Sequence, residues 1–268
     1  MYWIYDFPNW MLGVLTVAAF VGISIVGLLI TRPFVRRLLN ASSVHNDVVS
    51  YIFAGVGVFY GLALGLIAVA TWSDYTDVDG QISLEAAAVA ELYRDFDGYP
   101  EPTRNHLEDK LRAYTQDVIA KDWPAHRVGI APEDGTLLLD ALENEMMTFE
   151  PTKEREKVAH AEALSSLDAV IRQQRLRLQS VGGGLPASLW SVVLIGAWLT
   201  FGLTYLFWVE NLRLHLILVG LLATFIGLLV FLTAAMDNPF RGEFSVTPDA
   251  FQQVLDKVMN STATSKTP

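Results

Sequence analysis

The side chains able to do chemistry are thinly spread in this chain of 268 residues. Its five histidines, His45, His106, His126, His160 and His215, are dispersed, and there is no cysteine. Disulfides, thiolate metal sites and a cysteine nucleophile are therefore excluded. Glu156 and His160 stand four residues apart in a segment of helical pattern, a spacing that puts both on one face where a metal could bind. No further pair of ligands accompanies them, and the segment is charged throughout, as a solvated helix face is. Carboxylates cluster more closely at Asp74, Asp77, Asp79, Glu85, Glu91 and Asp95. In an oligomer, Asp74, Asp77, Asp79 and Glu85 could ring a mouth that attracts small inorganic ions; singly they are exposed helix charges. No Gly-x-Ser-x-Gly elbow, Walker loop or His-Glu-x-x-His motif is present. Acid, base and nucleophile are assembled nowhere, so no enzyme is expected, and no catalytic residue, cofactor or metal site.

The elements that must position these groups are dominated by four apolar runs, at residues 10–30, 48–72, 187–209 and 216–235, none of which contains Asp, Glu, Lys, Arg or His. The shortest reaches about 30 Å as a helix, the thickness of a bilayer's hydrocarbon core. A spanning helix satisfies its own backbone hydrogen bonds, which is why such runs mark an integral membrane protein. The expected fold is an all-α membrane protein with four transmembrane helices in two pairs flanking a helical extramembrane domain. The pairs occupy 1–72 and 185–235, the domain 73–184, and a C-terminal tail 236–268. Residues 1–9 lack Lys and Arg and no Ala-x-Ala-like site follows the first run, so that run is expected to be a retained anchor. Tyr2, Trp3, Tyr5, Phe7 and Trp10 suit the bilayer interface.

Charge divides the chain. Residues 73–184 hold 12 of the 19 Lys and Arg and 22 of the 29 Asp and Glu, which accounts for the whole net charge of −10. Such acidity argues against nucleic acid as a partner. Arg32, Arg36 and Arg37 lie in the first loop and Arg213 in the last, which draws both loops to the cytoplasm and leaves the acidic domain periplasmic, in a bacterial inner-membrane, multi-pass protein. Arg172, Arg175, Arg177 and Arg241 pull the other way. Within the domain, Leu107, Leu111, Tyr114 and Val118 predict one helix, ended by Trp123-Pro124. Leu138, Leu142, Met146 and Phe149 predict the next. Pro151 is expected to open a last helix, with Val158, Leu164, Leu167, Ile171 and Leu178 as its stripe. The stretch from Ile82 to Phe96 reads as a continuation of the second span. In the tail, Phe240 and Phe244 should anchor a turn at the interface, followed by an interfacial helix bearing Phe251, Val254, Leu255 and Val258, with a frayed end over 260–268.

The second span carries glycines every fourth residue, Gly57, Gly61 and Gly65. This spacing strips one helix face, either for close helix packing within or between subunits or as a smooth pore wall. Phe53, Phe59 and Tyr60 could constrict a symmetric pore lined by this helix. No ionisable residue lies in any span, which argues against proton-driven transport.

Several segments together carry a resemblance: the Gly-rich second span ending in Trp72 and Tyr75, Glu85-Ala86-Ala87-Ala88, Trp123-Pro124, and Asn238-Pro239-Phe240-Arg241-Gly242-Glu243-Phe244. The chain resembles the bestrophin-like domain family of bacterial membrane proteins along nearly its whole length. The resemblance implies likeness to bestrophins: pentameric anion channels with two spans, a cytosolic helical region and two more spans. Its expected partners are therefore the lipid bilayer, further copies of itself and small inorganic ions. The expectation is an oligomeric, passively conducting ion channel; the alternative is a non-conducting scaffold or sensor whose helical domain binds a partner.

Overall fold

The computed structural model describes residues 7–38 and 43–260, so Tyr2, Trp3, Tyr5 and most of the expected frayed end lie outside the described residues. Among the described residues every regular element is helical: α1 (Asn9–Leu38), α2 (Ser43–Asp95), α3 (Thr103–Asp117), α4 (Trp123–Arg127), α5 (Asp134–Thr148), α6 (Glu154–Ser180), α7 (Ala187–Tyr205), α8 (Leu212–Met236) and α9 (Asp249–Val254). Single π-helical turns follow α3 (Val118–Asp122) and α9 (Leu255–Met259). Four helices, α1, α2, α7 and α8, are long and apolar enough to cross a membrane. The chain forms two compact units, one of residues 1–74, 184–238 and 242–244, the other of residues 75–183, 239–241 and 245–268.

In the membrane unit, α1 lies along α8. Small residues set this contact: Gly13 faces the Phe231 ring, and a Cβ on Gly227 would meet Val17 Cα at 3.1 Å. Leu28, Leu64, Val193, Phe201 and Ala223 form the centre of the core. Its hydroxyls turn back onto their own helices, as a hydrocarbon environment demands: Thr71 to Ile67 O at 2.9 Å, Thr200 to Gly196 O at 2.7 Å, Thr233 to Leu229 O at 3.0 Å. The first helix outlasts its apolar run and passes through Pro33. Just before that proline, Arg32 donates to Val209 O and Glu210 O, both at 3.1 Å, which ties α1 to the α7–α8 connection. The third helix ends at Tyr205, earlier than its apolar run. Residues 206–209 instead offer backbone groups to α2, with His45 on Leu206 O at 2.9 Å and Asn46 paired to the backbone of Trp208 through both amide atoms.

The extramembrane unit has one core, built from α2 beyond Tyr75, α3, α5, α6 and the tail. Helix α2 is unbroken over 53 residues, about 80 Å at 1.5 Å per residue, so it far exceeds a membrane span. Several expectations need correction here. Trp123-Pro124 does not end the helix that begins with α3. The wider π turn gives room to a proline that lacks an N–H and would clash with a carbonyl one turn back, and helical structure continues to Arg127. Pro151 does not open α6, which starts three residues later. Glu156 sets that start by accepting the backbone N–H of Thr152 at 3.0 Å and of Lys153 at 3.2 Å. Val158 is exposed; the buried seam of α6 is Ala163, Leu167, Val170, Gln174 and Arg177. The tail is not an interfacial helix: Phe240, Phe251, Val254 and Met259 are buried in the core of this unit. Phe244 stays exposed.

Close packing makes one glycine of α7 sensitive. A Cβ on Gly196 would overlap the Tyr60 ring, whereas one on Gly202 meets nothing within 4 Å. Gly196→Ala should cost about 1–3 kcal/mol through overpacking. Gly202→Ala on the same helix should leave the thermal midpoint in detergent unchanged or raised.

Candidate functional site: the face of α2 and the ion cluster on its extension

Within the membrane unit, α2 touches its neighbours along one edge. Tyr60 donates to Val193 O at 3.0 Å and covers Gly196, Phe53 meets Phe207 edge to face at 5.8 Å, and Leu64, Ile67 and Thr71 are buried. The rest of the helix is open: Val58, Phe59, Leu62, Leu66 and Val69 are all exposed. A Cβ on Gly57, Gly61 or Gly65 would meet nothing within 4 Å, so the glycines serve no packing inside the subunit. At about 100° per residue, the three glycines lie within about 40° of one line along the helix. The buried edge lies about 90° to one side of that line. Val58, Leu62 and Val69 lie about 60–100° to the other side, and Phe59 and Leu66 about 140–160° from it. The three aromatics singled out from the sequence are thus divided, with Phe53 and Tyr60 on the internal edge and Phe59 on the open side. Asp74, Asp77 and Asp79 are exposed but spread around the helix.

Glu85 is different. It is fully buried, so it is no exposed mouth charge, and it anchors an ion cluster. Arg177 Nε donates to Glu85 Oε2 at 2.8 Å and Nη2 to Oε1 at 3.3 Å. Arg177 Nη1 donates to Asp122 Oδ2 at 3.1 Å and lies 3.4 Å from His126 Nε2. The Tyr114 hydroxyl donates to Glu85 Oε1 at 2.6 Å. The guanidinium stands over Trp123 and Phe251, 6.0 and 5.9 Å from the ring centroids. Gly135 leaves room beside Asp122 Oδ2 and Gln174 Nε2, which a Cβ would approach to 3.2 and 3.3 Å. Burial works against the Arg177 charge, but Glu85, Tyr114 and Asp122 together more than offset it and leave the guanidinium held above its ordinary pKa. Burial raises Asp122 even though Arg177 opposes it. It also drives His126 down to about 3, helped by the Arg177 charge, so the imidazole is neutral. No member of the cluster is open to a substrate. Its chemistry is a latch that ties α2 to α3, α4 and α6.

Of the segments that carried the resemblance, Trp123-Pro124 and residues 239–241 of the tail meet in this unit. Trp123 packs edge to face on Phe240 at 5.8 Å and Phe251 at 6.2 Å, and its indole N–H donates to Val246 O at 3.3 Å. Phe240 also meets His126 at 5.1 Å. The Arg241 guanidinium fills the space beside Gly129, where the backbone has φ 76° and a side chain would be both strained and displaced. In the membrane unit, Asp237 accepts from Leu185 N and Trp190 Nε1 and joins the end of α8 to the start of α7. Glu156 and His160 serve separate ends, the first as a helix cap and the second in a 2.7 Å hydrogen bond with the Tyr99 hydroxyl. Among the described residues no group of three or more His, Cys, Asp or Glu is arranged to hold a metal.

Arg177 was missed as a partner because its charge reads as juxtamembrane. The signal was the spacing of Ala163, Leu167 and Val170, which when extended by four and three residues arrives at Gln174 and Arg177.

Four apolar spanning helices and an all-α extramembrane unit latched by a buried ion cluster define an integral membrane protein of the two-span, domain, two-span plan. The chain belongs to the bestrophin-like family: the Bestrophin-like domain model matches residues 18–251. Among solved structures it is similar to a single-substitution variant of a bacterial bestrophin homolog from Klebsiella pneumoniae, with 14% identity, TM-score 0.65, and 94% of this chain and 98% of that one covered. A second structure of that homolog gives 14% identity and TM-score 0.64 over 92% and 98% of the two chains. A crystal structure described as a membrane protein gives 15% identity and TM-score 0.65 over 96% and 99%. No curated protein matches by sequence. At these identities the structures share the fold.

Two outcomes follow from the cluster. Arg177→Met leaves Glu85 and Asp122 buried without their cation and should cost about 3–5 kcal/mol, read as a fall in the thermal midpoint. The second concerns acid. His126 is held below its ordinary 6.5, so the unfolded chain takes up its proton first and stability falls as pH drops from 6.5 towards 3. Asp122, held above its ordinary 3.8, offsets part of this at the acid end. Between pH 6.5 and 4.5 the His126→Asn variant should lose roughly 2 kcal/mol less stability than the parent.

Proposed function

We propose that this chain is one subunit of an oligomeric, passively conducting ion channel in the bacterial inner membrane, with α2 lining the symmetry axis. The observation that carries this reading is the open girdle of α2, where a stripe of glycines and a row of large apolar residues both lack partners within the subunit. Because the buried edge of α2 faces its own subunit, the opposite side, Val58, Leu62 and Val69, faces the axis. The two flanks then meet the neighbouring copies. Gly57, Gly61 and Gly65 of one copy receive Phe59 and Leu66 of the next, large side chains against a bare backbone. The glycines are contacts between subunits, and the apolar constriction expected of Phe53, Phe59 and Tyr60 shifts to Val58 and Leu62. No charged side chain lies on this face within the span, so passage is passive and governed by the wetting of an apolar neck.

The arginines at the α1–α2 and α7–α8 connections, set against residues 1–9 before α1 that carry no Lys or Arg, support a periplasmic acidic domain, against the pull of Arg172, Arg175 and Arg177 before α7 and Arg241 after α8. Protease added to intact spheroplasts would then cleave the domain, and a domain fully protected from it overturns this orientation.

The channel is tested in liposomes. Protein reconstituted as a ring should pass small inorganic ions above the rate of empty vesicles, and Leu62→Ser should raise that flux about tenfold or more by wetting the neck. Gly61→Leu should abolish the ring in native mass spectra. A parent protein that forms a ring of four or more copies but conducts nothing sinks the reading and favours a scaffold.

A further inference from the structure

The end of the membrane unit at the α1–α2 and α7–α8 connections collects Arg32, Arg36, Arg37 and Arg213. Its carboxylates are Asp47 and Glu210, so positive charge is in excess by two. Among the described residues the ion pairs all lie in the extramembrane unit, and none involves these four arginines. Arg32 spends donors on Val209 O and Glu210 O, and Arg36 Nη2 reaches Glu210 O at 3.5 Å while its guanidinium stacks 5.5 Å over Trp208. These contacts fix the guanidinium planes on neutral acceptors and leave their charge uncompensated. Arg36, Arg37 and Arg213 are exposed. Arg213 also occupies the first turn of α8, beside backbone N–H groups, where a cation is disfavoured and an anion is welcome. Exposed Phe34 and Leu214 adjoin these arginines, so the charges sit where the apolar surface ends.

Exposed guanidinium groups at a hydrocarbon edge, one of them stacked on an indole, match the phosphodiester of a lipid whose acyl chains lie along α1 and α8. We propose that Arg36, Arg37 and Arg213 bind the phosphate of an anionic glycerophospholipid, with Trp208 at the headgroup boundary. The site goes beyond the channel reading and does not depend on it, since its occupant is a membrane component and its readout is bound lipid.

The test uses the full chain in nanodiscs of equal phosphatidylglycerol and phosphatidylcholine, with lipid retained after extraction counted by mass spectrometry. Phosphatidylglycerol should be enriched over the bilayer ratio. The Arg36→Gln, Arg37→Gln, Arg213→Gln triple variant should lose that enrichment by about fivefold for each arginine removed, and the triple Lys variant should recover most of it. Equal thermal midpoints of parent and Gln variant in pure phosphatidylcholine establish that the variant is folded. Enrichment unchanged in the Gln variant overturns the proposal. So does a parent that shows no enrichment but is stabilised in phosphatidylcholine discs by inorganic phosphate, which would mark the site as one for a soluble anion.

Discussion

The fold of the extramembrane unit depends on one cation with nowhere else to go. Arg177 is fully buried, and removing such an ion from water costs several kcal/mol before any partner is counted. Its three nitrogens face Glu85, Asp122 and His126, and the guanidinium stands over the rings of Trp123 and Phe251. That arrangement exists only when α2, α3, α4, α6 and the tail are all in register. The apolar seam of α2 in this unit, Ile82, Ala86, Val89 and Leu92, would also pack after sliding one helical turn, about 5.4 Å. The ion pair would not survive the slide, because Glu85 and Arg177 would both be stranded in a dry core. The cluster contributes less to net stability than to the uniqueness of the packing, and it makes the position of α2 the quantity that every other helix of the unit constrains.

What was legible in the sequence follows from where physical chemistry leaves few choices. A bilayer tolerates no charge on a spanning face, so the four spans stood out as uninterrupted apolar runs. The stripe of Gly57, Gly61 and Gly65 in the second span was visible as well, since a bare helix face needs an explanation. The partner of that face was not legible. Phe53 and Tyr60 sit seven residues apart and turn to α7 and the residues just after it, while Phe59 turns away, and only the placement of Gly196 and Phe207 decides which side is which. Polar residues on a buried seam were illegible for a different reason. Hydrophobic periodicity treats Gln174 and Arg177 as interruptions, although they continue the spacing set by Ala163, Leu167 and Val170. Glu85 looked exposed because its neighbours in sequence, Asp77 and Asp79, are exposed; its partner lies 92 residues away.

The tail was misread because its amphipathic pattern fits either a lipid surface or a protein groove. Its anchors settle the matter: Phe240 reaches Trp123 and His126, and Arg241 occupies the space that Gly129 leaves open. Residues 239–241 and 245 onward belong to the extramembrane unit, whereas 242–244 belong to the membrane unit. Gly242 has φ 80°, a left-handed conformation that favours glycine, and Glu243 accepts the backbone N–H of Asn9 at the start of α1. The distinctiveness of this short segment in sequence thus reflects three separate steric and hydrogen-bonding duties packed into a few residues.

The flanks of α2 also bear on symmetry. One flank is bare glycine and the other carries Phe59 and Leu66, so a contact that seats one on the other is between unlike surfaces. Contacts between unlike surfaces of identical chains are heterologous, and they either close into a ring or run on as a filament. A bilayer removes most of this freedom. All copies must lie in one plane with the same helices spanning the same core, which leaves rotation about the membrane normal as the relation between neighbours. A two-fold dimer would have to place glycine against glycine or phenylalanine against phenylalanine and would leave the complementary flank exposed to lipid. In the proposed assembly, cyclic closure is therefore the arrangement that uses both flanks of every copy, and it places Val58 and Leu62 on the axis as a geometric consequence.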